Sequence, residues 1–206
     1  KANDSLNDLD FHVFDGPAAF VETMEHLHFS VGPLSFYQVN VPQALSMYRM
    51  VRQLADLKGT ETVYDLYTGT GTIALFVAPH AQKVVGIEYV PQAIDDAKKN
   101  ATDNRIKNAD FFCGDIAKTL NQSFMAAHGH PDVILTDPPR SGMHPDVVAQ
   151  ILNAAPEKVV YVSCNPATQA RDIALMKDQY KVAEIHPFDM FPHTHHVENI
   201  ALLVRK

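Results

Sequence analysis

The sequence predicts an α/β protein with a Rossmann-like, seven-stranded, mostly parallel sheet that carries helices on both faces. From Thr62 onward, short apolar and β-branched runs alternate with amphipathic segments, which is the pattern of a doubly wound sheet. The run 132–136 contains Val-Ile-Leu, typical of a strand covered on both faces. A glycine-spaced turn at 68–72 joins the first of these strands to its helix, as in folds that bind nucleotides.

Each element follows from hydrophobic periodicity and from Pro, Gly and Asx residues at its ends. The expected strands are 62–66, 83–88, 109–113, 132–136, 158–163, 180–188 and 197–204. The expected helices are 42–57, 73–78, 91–104, a single helix from 115 to 127, 145–154 and 166–178. Five strands are expected to be parallel, and the last two to form a hairpin across a Pro- and His-rich loop.

The N-terminal part alternates apolar and polar residues, which predicts a small antiparallel sheet turning at Asp15-Gly16-Pro17. The expected inward positions are Phe11, Val13, Phe20, Val21, Leu27, Phe29 and Val31. We therefore expect residues 1–33 to be a β extension, the remnant of a preceding domain, and 34–206 to be the catalytic domain.

Composition limits the class of protein. The 206 residues are 46% hydrophobic, enough for one substantial core. No apolar run approaches the ~20 residues that span a bilayer, and the start does not resemble a signal peptide, so a cytoplasmic protein is expected. The two cysteines, Cys113 and Cys164, are far apart, which disfavours a metal or disulfide site. A net charge of −7 disfavours a general nucleic-acid binder, although a local basic rim remains compatible with it.

Asp65 decides which cofactor the glycine turn favours. Gly69, Gly71 and Ala74 match the spacing of a dinucleotide loop, but that pattern alone is weak. Asp65 lies four residues before the first glycine, where a carboxylate suits the ammonium of a methionine moiety and would repel a pyrophosphate. The pattern resembles the S-adenosylmethionine (SAM) loop of class I methyltransferases. The alternative is an ordinary strand-to-helix turn with an exposed acid.

The other strand ends also carry polar residues, and in such sheets ligands bind at the carboxyl edge. Glu88 can accept hydrogen bonds from both ribose hydroxyls of an adenosine. Asp115 either accepts from the exocyclic amine of adenine or caps the next helix. Asp137-Pro138-Pro139-Arg140 resembles the motif with which amino methyltransferases hold an NH₂ group, but Arg replaces the aromatic residue. A rigid turn is the structural alternative.

Cys164 ends the fifth strand directly before Asn165-Pro166 starts a helix. The helix dipole and free N–H groups there are expected to favour the thiolate, so we interpret Cys164 as a nucleophile. Cys113 is interpreted as a small buried core residue. Glu198 is the candidate general base, with His196 orienting it. Metal binding by the nearby histidines is disfavoured because no further ligands complete a shell.

Five segments together resemble the RNA uracil-5-methyltransferase family, which makes 5-methyluridine in tRNA and rRNA. They are Ser35-Phe-Tyr-Gln-Val-Asn40, Asp65-Leu-Tyr-Thr-Gly-Thr-Gly71, Asp137-Pro-Pro-Arg140, Ser163-Cys-Asn-Pro166 and Phe191-Pro-His-Thr-His-His-Val-Glu198. The resemblance implies SAM as cofactor, an RNA partner, Cys164 as nucleophile and Glu198 as base. It implies Asp137 and Arg140 as substrate contacts. The SAM site it implies consists of Gln38, Asp65, Tyr67, Gly69, Thr72, Glu88, Asp115 and Asp137.

The chain also departs from that family. The N-terminal oligonucleotide-binding barrel of many members is absent, as are the cluster cysteines of some, and the chain begins with Lys1. We therefore expect a monomeric catalytic fragment without membrane contact, and the sequence does not name its target RNA. Three alternatives stay open: methylation of an exocyclic amine or small molecule, a nicotinamide oxidoreductase, and a non-catalytic RNA-binding module.

Overall fold

A computed structural model describes residues 12–17, 19–32 and 37–206 of the chain. Its strands and helices follow one another in the order that periodicity predicts. They are β1 (Phe20–Met24), β2 (Leu27–Val31), α1 (Val41–Ala55), β3 (Thr62–Leu66), α2 (Thr72–Val77), a 3₁₀ turn (Ala78–His80), β4 (Lys83–Glu88), α3 (Pro91–Asp103), β5 (Ala109–Cys113), α4 (Ile116–Thr119), α5 (Gln122–His128), β6 (Val133–Thr136), α6 (Pro145–Ala154), β7 (Lys158–Ser163), α7 (Pro166–Met176), β8 (Tyr180–Phe188) and β9 (Glu198–Arg205).

Strands β3 to β9 form one seven-stranded sheet in the order β5-β4-β3-β6-β7-β9-β8. The first five in the chain are mutually parallel, and β9 pairs antiparallel with both β7 and β8. The expected sheet, with its terminal hairpin, is thereby confirmed. Because β3 is flanked by β4 on one side and β6 on the other, the strand order reverses there, and the carboxyl edge opens into a crevice.

Two apolar clusters cover the two faces of the sheet. Helices α1, α2 and α3 pack with β2 on one face, and α4 to α7 pack on the other. Neighbouring strand residues contribute to opposite clusters, as the pleat requires: Val63 to the first and Tyr64 to the second. None of the helices in the described ranges is long and apolar enough to span a membrane.

The N-terminal hairpin differs from the prediction in its turn. β1 and β2 pair antiparallel around Glu25 and His26, whereas Asp15-Gly16-Pro17 precedes β1 and joins no strands. Glu25 takes a positive φ of 55° and accepts hydrogen bonds from Arg49 and Arg52 of α1 at 2.8 and 2.9 Å. These ion pairs fix the turn against α1, a tertiary contact that turn propensity does not reveal.

Only part of the predicted hairpin core is buried. Leu27, Phe29 and Val31 of β2 are buried, since this strand contacts α3. Val13, Phe20 and Val21 are exposed, and the prediction that they point inward was wrong. Exposure follows from the position of the latter two in the outer strand. Phe11 lies outside the described residues.

The helix predicted from 115 to 127 is two short helices. α4 ends at Thr119, and Asn121 then caps α5, its Oδ1 accepting the N–H of Phe124 at 2.9 Å. A capping Asn inside an apolar pattern ends one helix and begins the next. Cys113, at the end of β5, is exposed rather than buried, and its sulfur lies 3.5 Å from the carbonyl oxygen of Tyr89.

Candidate active site

A cavity of about 580 Å³ opens at the carboxyl edge of the sheet, where the strand order reverses. Almost every candidate residue from the sequence lines it. The lining includes Gln38, Asp65, Tyr67, Gly69, Thr72, Glu88, Asp137, Arg140, Cys164 and Glu198. The β3–α2 loop forms one end, and the loops after β6 and β7 with the start of β9 form the other.

The glycine loop between β3 and α2 gives the first end its shape. Gly69 and Gly71 have φ values of 54° and 80°, a conformation that side chains disfavour. A Cβ on Gly71 would also lie 3.0 Å from Phe111 and 3.1 Å from Ala97, so α3 and β5 pack directly against this backbone. Tyr67 adopts a positive φ of 61° without being glycine. The loop is thus a strained, tightly packed cradle for a ligand.

Asp65 lies beneath the loop and is only 1% exposed. Its Oδ2 accepts the hydroxyl of Thr68 at 2.6 Å and the N–H of Ala74 at 3.1 Å. Oδ1 accepts no hydrogen bond from the described part of the chain. Burial, and to a lesser degree the charge of Glu88, raises the pKa of Asp65 to about 7 against the effect of these two bonds. A bound cation would favour its ionised form.

Glu88 closes the same end from β4. Its Oε2 accepts the N–H of Gly69 at 3.2 Å, and its Oε1 accepts those of Tyr89 and Val90 at 2.8 and 3.0 Å. These bonds fix the carboxylate relative to the glycine loop. Each carboxylate oxygen has two lone pairs, so acceptor capacity toward hydroxyls of a ligand remains.

Asp115 does not line this cavity. It caps α4 by accepting the N–H of Ala117 at 3.0 Å, as the capping alternative expects. Together with Tyr89 it lines a second cavity of about 590 Å³. Tyr67 lines both cavities, so the two adjoin. Contact between Asp115 and an adenine amine stays a prediction.

Strand register brings the two candidate catalytic residues together. β7 and β9 run antiparallel with Ser163 opposite Asn199, so the next residue of β7, Cys164, lies beside Glu198. Cys164 is partly buried and Glu198 is 6% exposed. The segments are 34 positions apart in the chain, and only the terminal hairpin makes them neighbours.

The electrostatics of Cys164 differ from the expectation. Burial raises the pKa of its thiol above the ordinary value, and the carboxylates of Glu198 and Asp137 add to this, while a hydrogen bond from the Arg140 side chain lowers it. The expected thiolate stabilisation at the start of α7 was therefore wrong as the net effect. The sequence does not show that two acids converge on the sulfur.

Both of these acids are themselves perturbed. Burial, with Glu198 and Asp65 nearby, raises the pKa of Asp137 to about 8. Burial also raises the pKa of Glu198, and Arg140 opposes this shift. Three carboxyl groups in one desolvated cavity cannot all ionise cheaply. Asp137 is consequently able to act as a hydrogen-bond donor near neutral pH.

His196 does not orient Glu198, as predicted, but contacts Arg140. The Arg140 Nη2 atom lies 3.3 Å from both ring nitrogens of His196. The ring of His195 lies 4.2 Å from that of His196, centroid to centroid. Burial lowers the pKa of His196, and the charge of Arg140 and the ring of His195 act in the same direction. A neutral imidazole can accept a hydrogen bond from the guanidinium.

Two lining residues were not predicted as site residues. Tyr48 was assigned to the core face of α1, and Phe191 was treated as part of the loop before β9. A phenol on an otherwise apolar helix face is a weak signal for a cavity wall. Neither position could be distinguished from core without the tertiary arrangement.

The family model of tRNA (uracil-5-)-methyltransferases matches residues 22–206. The chain belongs to this family. An RNA methyltransferase of Bacteroides thetaiotaomicron is 61% identical over 98% of the chain, and one of Porphyromonas gingivalis is 54% identical over all of it. The chain spans 45% and 44% of the length of these relatives.

Solved structures show the same methyltransferase family and fold. The tRNA (uracil-54, C5)-methyltransferase of Pyrococcus abyssi, solved with S-adenosyl-L-homocysteine, superposes with a TM-score of 0.81 at 34% identity. It covers 92% of the chain and 45% of its own. Trm5b of the same organism superposes with a TM-score of 0.72 at 15% identity, over 93% of the chain and 56% of its own, a likeness of fold alone.

Proposed function

We propose that this chain is the catalytic part of a cytoplasmic, SAM-dependent RNA methyltransferase that methylates carbon 5 of a uridine in tRNA or rRNA through a covalent cysteine adduct. Residues 34–206 form its catalytic domain, with 1–33 as an N-terminal extension. The observation that carries the proposal is the convergence of Cys164, Glu198 and Asp137 on the cavity of the glycine loop. Family membership and the Pyrococcus abyssi likeness support it.

The cavity fits SAM in chemistry. The buried Oδ1 of Asp65 offers an acceptor to an ammonium group, and Glu88 offers a fixed carboxylate to ribose hydroxyls. Asp115 reaches adenine through the adjoining cavity. The remaining positions assigned to the cofactor are Gln38, Tyr67, Gly69, Thr72 and Asp137. When bound, SAM supplies a methyl group on a sulfonium, which is attacked by a carbon nucleophile.

Cys164 creates that nucleophile. Carbon 5 of uracil is unreactive by itself, but addition of the thiolate to carbon 6 moves an electron pair onto carbon 5 and the carbonyl oxygen as an enolate. Asp137, protonated because of its raised pKa, donates a hydrogen bond to that oxygen. The enolate then takes the methyl group at carbon 5.

Glu198 completes the cycle. Its carboxylate removes the proton that remains on carbon 5, the electron pair re-forms the carbon 5–carbon 6 double bond, and the bond between carbon 6 and sulfur breaks. The thiolate returns with the product. Arg140, at the exposed mouth, is free to stack on the uracil or contact a phosphate of the RNA.

RNA in which uridine is replaced by 5-fluorouridine tests the proposal. Fluorine at carbon 5 cannot be removed as a proton, so the methylated adduct stays on the enzyme. Transcribed tRNA and rRNA fragments, incubated with the protein and SAM, are expected to yield a peptide containing Cys164 joined to a methylated nucleotide, measured by mass spectrometry. Cys164→Ala gives none.

A second function is favoured by the Asp137-Pro138-Pro139-Arg140 motif alone, which resembles that of amine methyltransferases. It requires no thiol. Methyl transfer to RNA or to a small amine that persists in Cys164→Ala, without a fluorouridine adduct in the unaltered protein, would overturn the covalent mechanism in its favour.

A further inference from the structure

The backbone of Arg140 is held by the helix that follows Cys164. The carbonyl oxygen of Arg140 accepts the Nδ2 of Asn165 and the hydroxyl of Thr168, both at 3.2 Å. These two donors lie in the cap and first turn of α7. The loop that carries Arg140 and the strand end that carries Cys164 are therefore joined by side chains as well as by the sheet.

The rest of the Arg140 loop is fixed on the same helix. Asp172, fully buried, accepts the N–H of Met143 at 2.7 Å, and Arg171 donates to the carbonyl of Ser141 at 2.9 Å. Gly142 packs so closely that a Cβ there would lie 2.6 Å from the Asp172 carboxylate. The loop has no room to shift along α7, so the two bonds at Arg140 define where its side chain begins.

Asn165 performs two separable tasks. Its Oδ1 caps α7 by accepting the N–H of Ala167 at 3.1 Å, and its Nδ2 holds Arg140. A shorter polar residue could keep the first task and lose the second. The function of the amide nitrogen can therefore be examined without removing the helix cap.

We propose that Asn165 and Thr168 are positioning residues, which keep the Arg140 side chain hydrogen-bonded to the Cys164 sulfur while it adds to uracil. This rests on the proposed function, in which Cys164 is the nucleophile. Glu198 from β9 and Asp137 from the loop after β6 act against ionisation of the sulfur, and Arg140 acts for it. Losing the hold on Arg140 leaves two negative charges without their counterweight.

Two neutral changes test this. Asn165→Ser keeps a capping oxygen but cannot reach Arg140, and Thr168→Val preserves shape while removing the hydroxyl. Thr168→Ser, which retains the donor, is the matched control. The readout is the rate at which iodoacetamide alkylates Cys164, followed by peptide mass against pH, in a Cys113→Ser background.

The double change is expected to slow alkylation at pH 8 about threefold to tenfold, since one pKa unit is tenfold in thiolate fraction. Thr168→Ser keeps the original rate. In an Arg140→Ala background, adding the double change has no further effect. Each single change gives a smaller loss in the same direction, so the result is decided even if the double variant does not fold.

An unchanged rate, or an equal loss in the presence and absence of the Arg140 side chain, would overturn the proposal. The assay contains neither RNA nor SAM, so it is independent of the methylation reaction. If the unaltered protein forms no fluorouridine adduct while alkylation responds as expected, the proposed function fails and the positioning stands. The converse result removes the positioning and leaves the function intact.

Discussion

The two ends of the cavity are built in different ways. At the cofactor end, Asp65, Thr68 and Ala74 lie within ten consecutive positions and bond to one another. At the catalytic end, Asp137, Cys164 and Glu198 come from three distant segments, and strand pairing alone makes them neighbours. The first end is specified by a local motif, and the second by the register of the sheet.

This difference has an electrostatic counterpart. The acid of the cofactor end is held by a hydroxyl and a backbone N–H, ready for a cation. At the catalytic end, Asp137 and Glu198 oppose ionisation of Cys164, and Arg140 is the charge that favours it. We infer that the cofactor end is preorganised before any ligand binds, whereas the catalytic end depends on how a few mobile charges are placed.

Cys164→Ala gives the largest expected separation of the two ends. Without the sulfur, methyl transfer is expected to fall at least about a thousandfold, the scale of removing a covalent nucleophile. SAM binding, measured by calorimetry, stays at its original value because the glycine loop is untouched. Cys113→Ser, at the exposed end of β5, retains full activity. A parallel loss of SAM affinity in Cys164→Ala would mean that the ends are not independent.

Glu198→Gln is expected to stop the reaction after methyl transfer. Turnover falls about a hundredfold to ten-thousandfold, as for loss of a general base. A covalent protein–RNA complex accumulates with ordinary uridine RNA, visible as a shifted band in denaturing gels. Glu157→Gln, at the opposite end of the β7–β9 pair, is the control. Normal turnover without the complex would assign proton removal to another group.

The sequence predicted the cofactor end more completely than the catalytic end. Strand β3 and the glycine turn begin and end where periodicity places them, because these signals are local. Cys164 and Glu198 were recognised only through resemblance to a family. Their adjacency depends on register, and the raised thiol pKa depends on desolvation by groups from other segments. The partner of His196 was wrong for the same reason.

Asp65→Asn tests whether the cofactor end is electrostatic. A charge-assisted hydrogen bond is worth about 1.5–3 kcal/mol, so SAM affinity should fall roughly tenfold to a hundredfold. Because the pKa of Asp65 is about 7 in the free protein, its ionised form grows as pH rises through that value. SAM affinity, titrated at pH 6, 7 and 8, is therefore expected to increase with pH.

In Asp65→Asn this pH dependence disappears, since Asn does not titrate. Asp137→Asn is the matched comparison, because that acid has a raised pKa in the same cavity. If the pH dependence survives in Asp65→Asn and is lost in Asp137→Asn, the proton belongs to the catalytic end, and the assignment of the two ends would have to be exchanged.

Asn100→Ala gives the smallest expected effect and sharpens the claim that the cofactor end is local. Buried Asn100 of α3 donates to the carbonyl of Thr70 at 3.1 Å and accepts the N–H of Ser30 at 3.0 Å, linking the glycine loop to the N-terminal hairpin. Asn104 instead exchanges bonds of 2.8 and 2.7 Å with the backbone of His28, and touches the hairpin without the loop.

Both Asn100→Ala and Asn104→Ala are expected to lower the free energy of unfolding in urea, by about 1–3 kcal/mol for each lost buried pairing. Only Asn100→Ala should also weaken SAM binding, about threefold to tenfold, because only it frees the loop carbonyl of Thr70. Equal SAM affinities in the two variants would mean that the loop holds its shape through the contacts of Asp65 and Gly71 alone. A selective loss would instead make the hairpin part of the cofactor end, although the local motif gives no sign of it.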